Sequence, residues 1–291
     1  MPLPELDAAT RARLLDRRVR IEGSDEDWFG GEDLAWYVVR SRGRLARALE
    51  LAAGLEDPVL DLGGEPWFFT QLLIERGLAV TSAGKRGGIW EEDMTLATPQ
   101  RIVLEWDGRR ETIEQHFFDA ERERFPFTDG AFRSVVCTDM IEHLRFSPAH
   151  LFYEVGRVLS PGGGLLVVTP NALAAPKLAA LLRGRNPAWP YSGHGPDGRH
   201  NREFSAAELE LVLREANFEG AVETHNAPGY EAGEPLGRVL RRLAGLGGRR
   251  ADYLFALARK VGPPRYGLPE SLYRAFDPDR MRAEGIFVPA D

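Results

Sequence analysis

Val59-Leu60-Asp61-Leu62-Gly63-Gly64-Glu65 is a short apolar run that carries one acid, breaks into two glycines and precedes a new helical pattern. This order of residue types predicts a strand, a tight turn and a helix. Open α/β sheets bind nucleotide-like ligands at such turns, because glycine lets the backbone approach the ligand without an intervening Cβ. The turn therefore predicts a ligand site around which the rest of the chain can be placed.

The segments on either side of the turn alternate between strand and helix patterns. Strands are predicted over residues 58–62, 78–82, 134–138 and 165–169, helices over 67–76, 150–159 and 172–182, and a helical turn over 139–144. This alternation predicts parallel βαβ units with right-handed crossovers. The fold class predicted is α/β, a doubly wound and mostly parallel seven-stranded sheet.

Two further strand pairs complete this predicted sheet. Residues 101–106 and 111–118 flank Asp107-Gly108, a strong hairpin signal, so the second arm is predicted as the third strand of the main sheet and the first as an added edge. Residues 221–225 and 253–258 are predicted as the last two strands, paired antiparallel across a basic amphipathic segment at 236–250.

The ends of the chain predict helical extensions. Amphipathic patterns predict helices over residues 5–22 and 32–53, and Ser205-Ala206-Ala207-Glu208 is a capping box that opens another helix. The predicted organisation is a helical N-terminal cap (1–54), a main domain (55–260) and a C-terminal tail (261–291).

Composition restricts the class of protein. The 291 residues are 43% hydrophobic and 28% charged, which suits one large domain, and the net charge of -7 argues against a generic nucleic-acid partner. The single Cys137 cannot form an internal disulfide, and no apolar stretch is long enough to predict a membrane span. Met1-Pro2-Leu3-Pro4 leads into a charged segment without an apolar signal core, which favours a cytoplasmic protein.

Three blocks of sequence occur in order: VLDLGG at 59–64, FPFTDGAFRSVVCTDMIEHL at 125–144 and VLSPGGGLLVVTPN at 158–171. Together they resemble class I S-adenosylmethionine-dependent methyltransferases, particularly the branch of ubiquinone-biosynthesis and sugar or polysaccharide O-methyltransferases. The first block alone also suits a nicotinamide-dependent oxidoreductase, but the Pro-Gly-Gly of the third block argues against that reading.

The resemblance implies S-adenosylmethionine as cofactor and assigns roles to residues at the predicted strand ends. Asp61 would face the methionine ammonium directly or through water, Asp119 would accept from the adenine amine, and the Ala120 N–H would reach a ring nitrogen. The full set of predicted cofactor residues is Asp61, Gly63, Gly64, Glu65, Ser82, Asp119, Ala120, Thr138 and Asp139.

Two departures from the family pattern concern this site. Glu65 and Trp67 stand where the family turn usually carries further glycines. The acid that normally ends the second strand and holds the ribose hydroxyls is missing, since this strand reads Val80-Thr81-Ser82-Ala83. Ser82, or an acid from Glu91-Glu92-Asp93, is the predicted substitute.

Methyl transfer needs an aligned nucleophile and a group that takes its proton. His143 is the first candidate base, with His200 and His194 as rivals, and a purely orienting role for His143 stays open. A long loop (residues 185–204, here the acceptor loop) carries aromatic, arginine and histidine side chains that suit a sugar or nucleotide-linked acceptor: Trp189, Tyr191, Arg199, His200 and Arg202. The predicted reaction is O-methylation of a small-molecule or sugar hydroxyl.

Two alternatives remain open. Asp139, Glu142 and His143 at i, i+3 and i+4, with His194 or His200, would suit a divalent ion, as in small-RNA 3′-end 2′-O-methyltransferases. The Glu-His pair also occurs in metal-free relatives, so no metal is predicted. The altered turn and missing acid would also suit a catalytically silent binding or scaffold protein.

Overall fold

The structure is a computed structural model that describes residues 5–24, 27, 29–30, 34–85, 98–193, 195–226, 239, 249–274, 276–286 and 288. The described helices are α1 (Ala8–Leu15), α2 (Ala35–Leu51), α3 (Phe68–Glu75), α4 (Ala149–Val158), α5 (Ala175–Leu182), α6 (Ala206–Glu215) and α7 (Pro278–Ala283). The strands are β1 (Arg18–Ile21), β2 (Phe29–Gly30), β3 (Val59–Leu62), β4 (Val80–Gly84), β5 (Gln100–Trp106), β6 (Arg109–Phe117), β7 (Phe132–Thr138), β8 (Leu159–Pro170), β9 (Phe218–His225) and β10 (Tyr253–Lys260).

All of these strands form one sheet, in the order β2-β1-β5-β6-β4-β3-β7-β8-β10-β9. The seven strands from β6 to β9 confirm the predicted main sheet, with parallel pairing from β6 to β8 and antiparallel pairing of β10 with β8 and β9. The predicted hairpin of β5 and β6 is also confirmed. Its turn residues Asp107 and Gly108 both have positive φ, as a two-residue hairpin turn requires.

The N-terminal segment differs from its prediction, because residues 5–22 do not form one helix. Asp7 caps α1 by accepting from the Thr10 N–H at 2.8 Å, and the helix ends at Leu15. Arg18–Ile21 is instead strand β1, which pairs antiparallel with β5 and buries Val19 completely. The free edge of the hairpin accounts for this outcome, since an unpaired strand edge offers backbone groups to a neighbouring segment.

The sheet is covered by helices on both faces, as a doubly wound fold requires. Leu60 and Leu62 point to one face and pack in a cluster with residues of α4 and α6. Val59 points to the other face and packs in a cluster with residues of α2 and α3. Side chains that alternate along β3 therefore serve two separate cores.

Several smaller predictions can be compared directly. The capping box at Ser205 and Glu208 is present with both of its hydrogen bonds, and the second strand lies two residues later than predicted, at Val80–Gly84. The tail packs on the main domain through the Tyr273 and Ser147 hydroxyls, 2.6 Å apart.

Most of the segment 236–250 lies outside the described residues. Among the described helices, none has the length and apolar character to cross a membrane.

The register places the carboxyl ends of β3, β4, β6 and β7 at one edge of the sheet. Leu62, the last residue of β3, pairs with Ala83 of β4 and Cys137 of β7. Gly84 of β4 pairs with Phe117 of β6. The segments that follow these strands therefore meet at the carboxyl edge of the sheet, where open α/β sheets bind their ligands.

Candidate active site

The glycine turn after β3 is tightly packed from beneath. The Gly63 N–H donates to the Ala83 carbonyl at 2.7 Å, and Gly63 has a φ of +72°. A Cβ added to Gly64 would lie 2.7 Å from Ser82 Oγ and 2.8 Å from Asp61 Oδ2. Both neighbouring side chains are fully buried, so the turn accommodates only glycine at position 64.

Gly64→Ala is therefore expected to lower the free energy of unfolding by about 1–3 kcal/mol, the usual cost of overpacking a close-packed interior. Urea denaturation would measure this loss. Gly54→Ala is the matched control, because a Cβ at Gly54 meets nothing within 4 Å. The control is expected to leave stability unchanged or raise it by up to about 1 kcal/mol. Equal stabilities of the two variants would contradict the packing argument.

A first cavity opens at the strand ends, with about 920 Å³ of space that is partly open to solvent. Six of the predicted site residues contribute to its wall: Gly63, Glu65, Asp119, Ala120, Asp139 and His143. Other lining residues, such as Phe118 and Leu144, are apolar. The cavity thus combines an apolar surface with a small set of polar groups, as small-molecule sites usually do.

Charged groups join one wall of this cavity to the acceptor loop. Lys85 Nζ lies 3.5 Å from Asp119 Oδ2 and 3.2 Å from Asp197 Oδ1 of the loop. Arg145 forms an ion pair with the same Asp197. Asn201 Nδ2 also donates to the His143 carbonyl at 2.7 Å. The loop is therefore held against the cavity by several polar contacts.

Asp61 and Ser82 do not line this cavity. Asp61 was predicted to face the methionine ammonium directly or through water, and Ser82 was one predicted substitute for the missing ribose acid. The other substitute, an acid from Glu91-Glu92-Asp93, lies outside the described residues. Asp61 is fully buried beneath the turn, where Oδ2 accepts from the Thr70 hydroxyl at 2.6 Å and burial raises the pKa of Asp61 to about 6. Ser82 Oγ lies 3.2 Å from Trp67 Nε1. Both side chains are fully buried and line no part of the first cavity, so a direct contact of Ser82 with ribose does not fit this geometry.

Trp67 explains why this turn departs from the glycine pattern. Its side chain is fully buried below the turn, and its φ is +59°. The indole Nε1 also donates to Gln115 Oε1 at 3.0 Å, and Gln115 Nε2 in turn donates to Glu65 Oε1 at 2.9 Å. The contact of Gln115 with both substituted residues was not predicted, since only the pairing of β6 with β4 brings it there.

A second cavity of about 1060 Å³ lies beside the first and shares Gly63, Glu65, Asp139 and His143 with it. Its wall is rich in aromatic rings: Trp36, Tyr37, Trp189 and Tyr253. Thr138, Glu142 and His200 also line it. Thr138 and Asp139 thus lie where the two cavities adjoin.

Asp139 is held by a buried arginine that the sequence patterns did not single out. Arg44 of α2 lies 2.7 Å from Asp139, and its side chain is only 2% exposed. Arg44 also donates to the Tyr37 hydroxyl at 2.8 Å and to Ser41 Oγ at 2.9 Å. Burial alone would lower the pKa of Arg44, but Asp139 and Tyr37 together hold it above its usual value.

The predicted shared helical face of Asp139, Glu142 and His143 is wrong. Asp139 has a φ of +50° and precedes a short 3-10 turn over Ile141–His143. His200 takes its place beside the other two, and donor atoms of Glu142, His143 and His200 lie within 4.8 Å of one another. That spacing would also admit a divalent cation. His194 lies outside the described residues.

The two described histidines of the site face each other in different environments. Their ring centroids are 5.0 Å apart and the rings are nearly perpendicular. His200 Nδ1 lies 2.8 Å from Glu203 Oε1, and the ring rests on Trp189. Burial, and then the neighbouring His200, lower the pKa of His143. His143 is therefore neutral, and able to accept a proton, at neutral pH.

Open α/β sheets with a glycine turn at the carboxyl edge of the strands form a class of proteins that bind nucleotide-like ligands at that edge. Residues 39–223 match the family model described as a methyltransferase domain. This match spans more than half of the chain. The chain therefore belongs to the methyltransferase domain family.

A curated relative is the "Probable S-adenosylmethionine-dependent methyltransferase" of Mycolicibacterium smegmatis, 38% identical over 95 residues. The match covers 32% of this chain and 31% of that protein, so the chain spans about a third of the length of this relative.

Solved structures show the same fold at low identity. An S-adenosylmethionine-dependent methyltransferase from Archaeoglobus fulgidus has a TM-score of 0.50 at 16% identity, covering 77% of this chain and 94% of that one. A chain from the complex of the Haloferax volcanii Trm112 methyltransferase activator with a methyltransferase has a TM-score of 0.51 at 15% identity, covering 80% and 95%.

Proposed function

We propose that the enzyme transfers the methyl group of S-adenosylmethionine to a hydroxyl group of a small molecule or sugar. The observation that carries this proposal is the common boundary of the two cavities at Gly63, Glu65, Asp139 and His143. A nucleoside in the first cavity and an acceptor in the second would meet at this boundary. In-line displacement needs such an arrangement, because the attacking oxygen and the methyl carbon must be adjacent and aligned.

We place the nucleoside of the cofactor in the first cavity. Its adenine amine would donate to Asp119, the Ala120 N–H would reach a ring nitrogen, and the methionine end would run over Gly63 toward Asp139. In this placement Asp61 and Gly64 shape the turn from beneath rather than touching the ligand. The buried Asp61 carboxylate packs against Gly64, since a Cβ added there would lie 2.8 Å from Asp61 Oδ2.

We place the acceptor in the second cavity. Flat aromatic faces such as Trp36, Tyr37 and Trp189 would pack on the apolar face of a sugar or another ring. The acceptor oxygen would attack the methyl carbon as the C–S bond breaks and its electron pair stays on sulfur. The proton of the hydroxyl would pass to the neutral imidazole of His143, with His200 beside it.

Asp119→Ala is expected to weaken the binding of S-adenosylhomocysteine by about 10- to 100-fold, because it removes a hydrogen bond to a charged acceptor. Isothermal titration calorimetry would measure this change. Asp16→Ala, at an exposed position outside the site, is the control and is expected to leave the affinity unchanged.

The same titration separates the enzyme from a catalytically silent protein of the same fold. Wild-type protein that gives no heat with millimolar S-adenosylhomocysteine would favour the silent protein and overturn the proposal. A normal affinity in Asp119→Ala would leave the proposal intact but remove the adenine role of that residue.

A further inference from the structure

The ribose of S-adenosylmethionine carries two neighbouring hydroxyl groups that require hydrogen-bond acceptors inside a closed site. In this chain the strand that passes beneath the first cavity ends without an acid. Ala83 and Gly84 are the last residues of β4. The side chain of the next residue, Lys85, can donate hydrogen bonds but cannot accept them. A protein acceptor for the ribose would therefore come from another element.

Glu65 lies at the middle of the proposed nucleoside path. Backbone hydrogen bonds place the end of β4 between the two ends of that path. The Gly63 N–H donates to the Ala83 carbonyl at 2.7 Å, and the Phe118 N–H donates to the Gly84 carbonyl at 3.0 Å. Glu65 Oε1 is only 3.3 Å from the position that a Cβ on Gly84 would take.

Four other carboxylates line this cavity, and Asp119 among them pairs with Lys85 and accepts from the Glu121 N–H at 2.9 Å. Glu121 accepts from the backbone N–H groups of Arg145, Phe146 and Ser147. Asp139 pairs with Arg44, and Asp197 with Lys85 and Arg145. Glu65 Oε1 accepts from Gln115 Nε2 at 2.9 Å. A carboxylate oxygen can accept more than one hydrogen bond, so this contact orients Glu65 without excluding a ligand.

Glu65 and Gly84 are sterically complementary. A Cβ on Gly84 would lie 3.2 Å from Gln115 Nε2 as well as 3.3 Å from Glu65 Oε1, closer than ordinary contact distances. A side chain at the strand end would therefore displace the Glu65 carboxylate. Gln115 is fully buried and also bonded to Trp67, which fixes the direction in which its amide faces Glu65.

We propose that Glu65, on the turn after β3, binds the ribose hydroxyls of S-adenosylmethionine in place of an acid at the end of β4. This inference rests on the proposed placement of the nucleoside in the first cavity. The turn thus supplies the carboxylate, and the glycine at the end of β4 leaves room for it.

The test is a binding cycle with S-adenosylhomocysteine and its 2′-deoxy and 3′-deoxy analogues, each titrated calorimetrically into wild type and Glu65→Ala. Wild type is expected to bind at least one deoxy analogue about 10- to 100-fold more weakly than the ribose form, the effect of one hydrogen bond to a charged group. Glu65→Ala is expected to lose affinity for the ribose form by a similar factor and to bind all three ligands within about threefold.

Two further variants make the cycle specific. Glu111→Ala removes an exposed carboxylate of β6 that lines neither cavity, and it is expected to keep the wild-type preference for ribose. Glu65→Gln retains the shape of the side chain, and it is expected to fold like wild type with a reduced preference, so it replaces Glu65→Ala if that variant unfolds.

The outcomes separate this inference from the proposed function. Binding of S-adenosylhomocysteine by wild type, with the full ribose preference kept in both Glu65 variants, would overturn only the role of Glu65. Absence of binding by wild type would overturn the proposed function and this inference with it.

Discussion

His143→Ala is expected to lower the turnover number by about 10²- to 10⁴-fold, the usual contribution of a positioned general base. Its affinity for S-adenosylhomocysteine is expected to stay within about threefold of wild type, because the imidazole lies at the boundary of the cavities rather than along the nucleoside path. A hydroxyl acceptor would first be chosen from a panel by mass spectrometry of its methylated product. The rate at which S-adenosylhomocysteine forms with this acceptor would then give the turnover number.

The pH dependence of the wild-type rate tests the same role. Burial and His200 lower the pKa of His143, so the neutral form that accepts a proton persists to more acidic pH than for an exposed histidine. The rate is therefore expected to rise from acidic pH and level off below about 6.5, the ordinary histidine value. Residual activity in His143→Ala should lack this rise.

Two controls separate a base from other roles of His143. His225→Ala changes a histidine on β9 that lines neither cavity, and it is expected to leave the rate unchanged. A chelator is expected to leave wild-type turnover unchanged. Loss of activity in chelator, restored by a divalent ion, would favour a cation on Glu142, His143 and His200, and a rate within a few-fold of wild type in His143→Ala would remove the base.

Asp139→Asn is expected to lower the free energy of unfolding by about 3–5 kcal/mol. The variant leaves Arg44 charged, only 2% exposed and without its carboxylate partner. Asparagine is the suitable replacement because it tolerates the positive φ of position 139, so the loss reports the missing charge rather than backbone strain. Urea denaturation of the ligand-free protein would measure the change.

The matched control is an exposed ion pair on the same helix. Arg47 of α2 pairs with Glu223, whose side chain is 45% exposed, so Glu223→Gln is expected to change stability by no more than about 1 kcal/mol. Combining Arg44→Met with Asp139→Asn is expected to recover much of the loss, because it removes the unpaired buried charge. A loss below about 1 kcal/mol in Asp139→Asn alone would show that Arg44 does not depend on this partner.

Local sequence patterns were sufficient to predict the turns, the hairpin and the helix cap of this α/β fold. The glycine turn at Gly63 and Gly64, the hairpin at Asp107-Gly108 and the capping box at Ser205 each depend on residues close together in the chain, and all three are present. The mostly parallel main sheet also followed, because strands that alternate with helices form parallel βαβ units with right-handed crossovers.

The site itself was only partly predictable. Asp119, Ala120, Asp139 and His143 follow the strand ends and do line the first cavity. Ser82 does not, because a shift of two residues in the bounds of β4 decides which residue ends the strand. Side chains on a strand alternate between faces, and propensity alone does not set the register.

The sequence by itself determined the class of fold, the edge of the sheet at which the candidate site lies and the glycine turn beside that site, because these depend on short-range patterns of glycine and apolar residues. Only the tertiary structure decided that Arg44 holds Asp139, that His200 faces His143, and that Glu65 occupies the space left by Gly84. Those contacts join elements far apart in the chain, and a polar residue in a sequence does not reveal which distant partner will bury it.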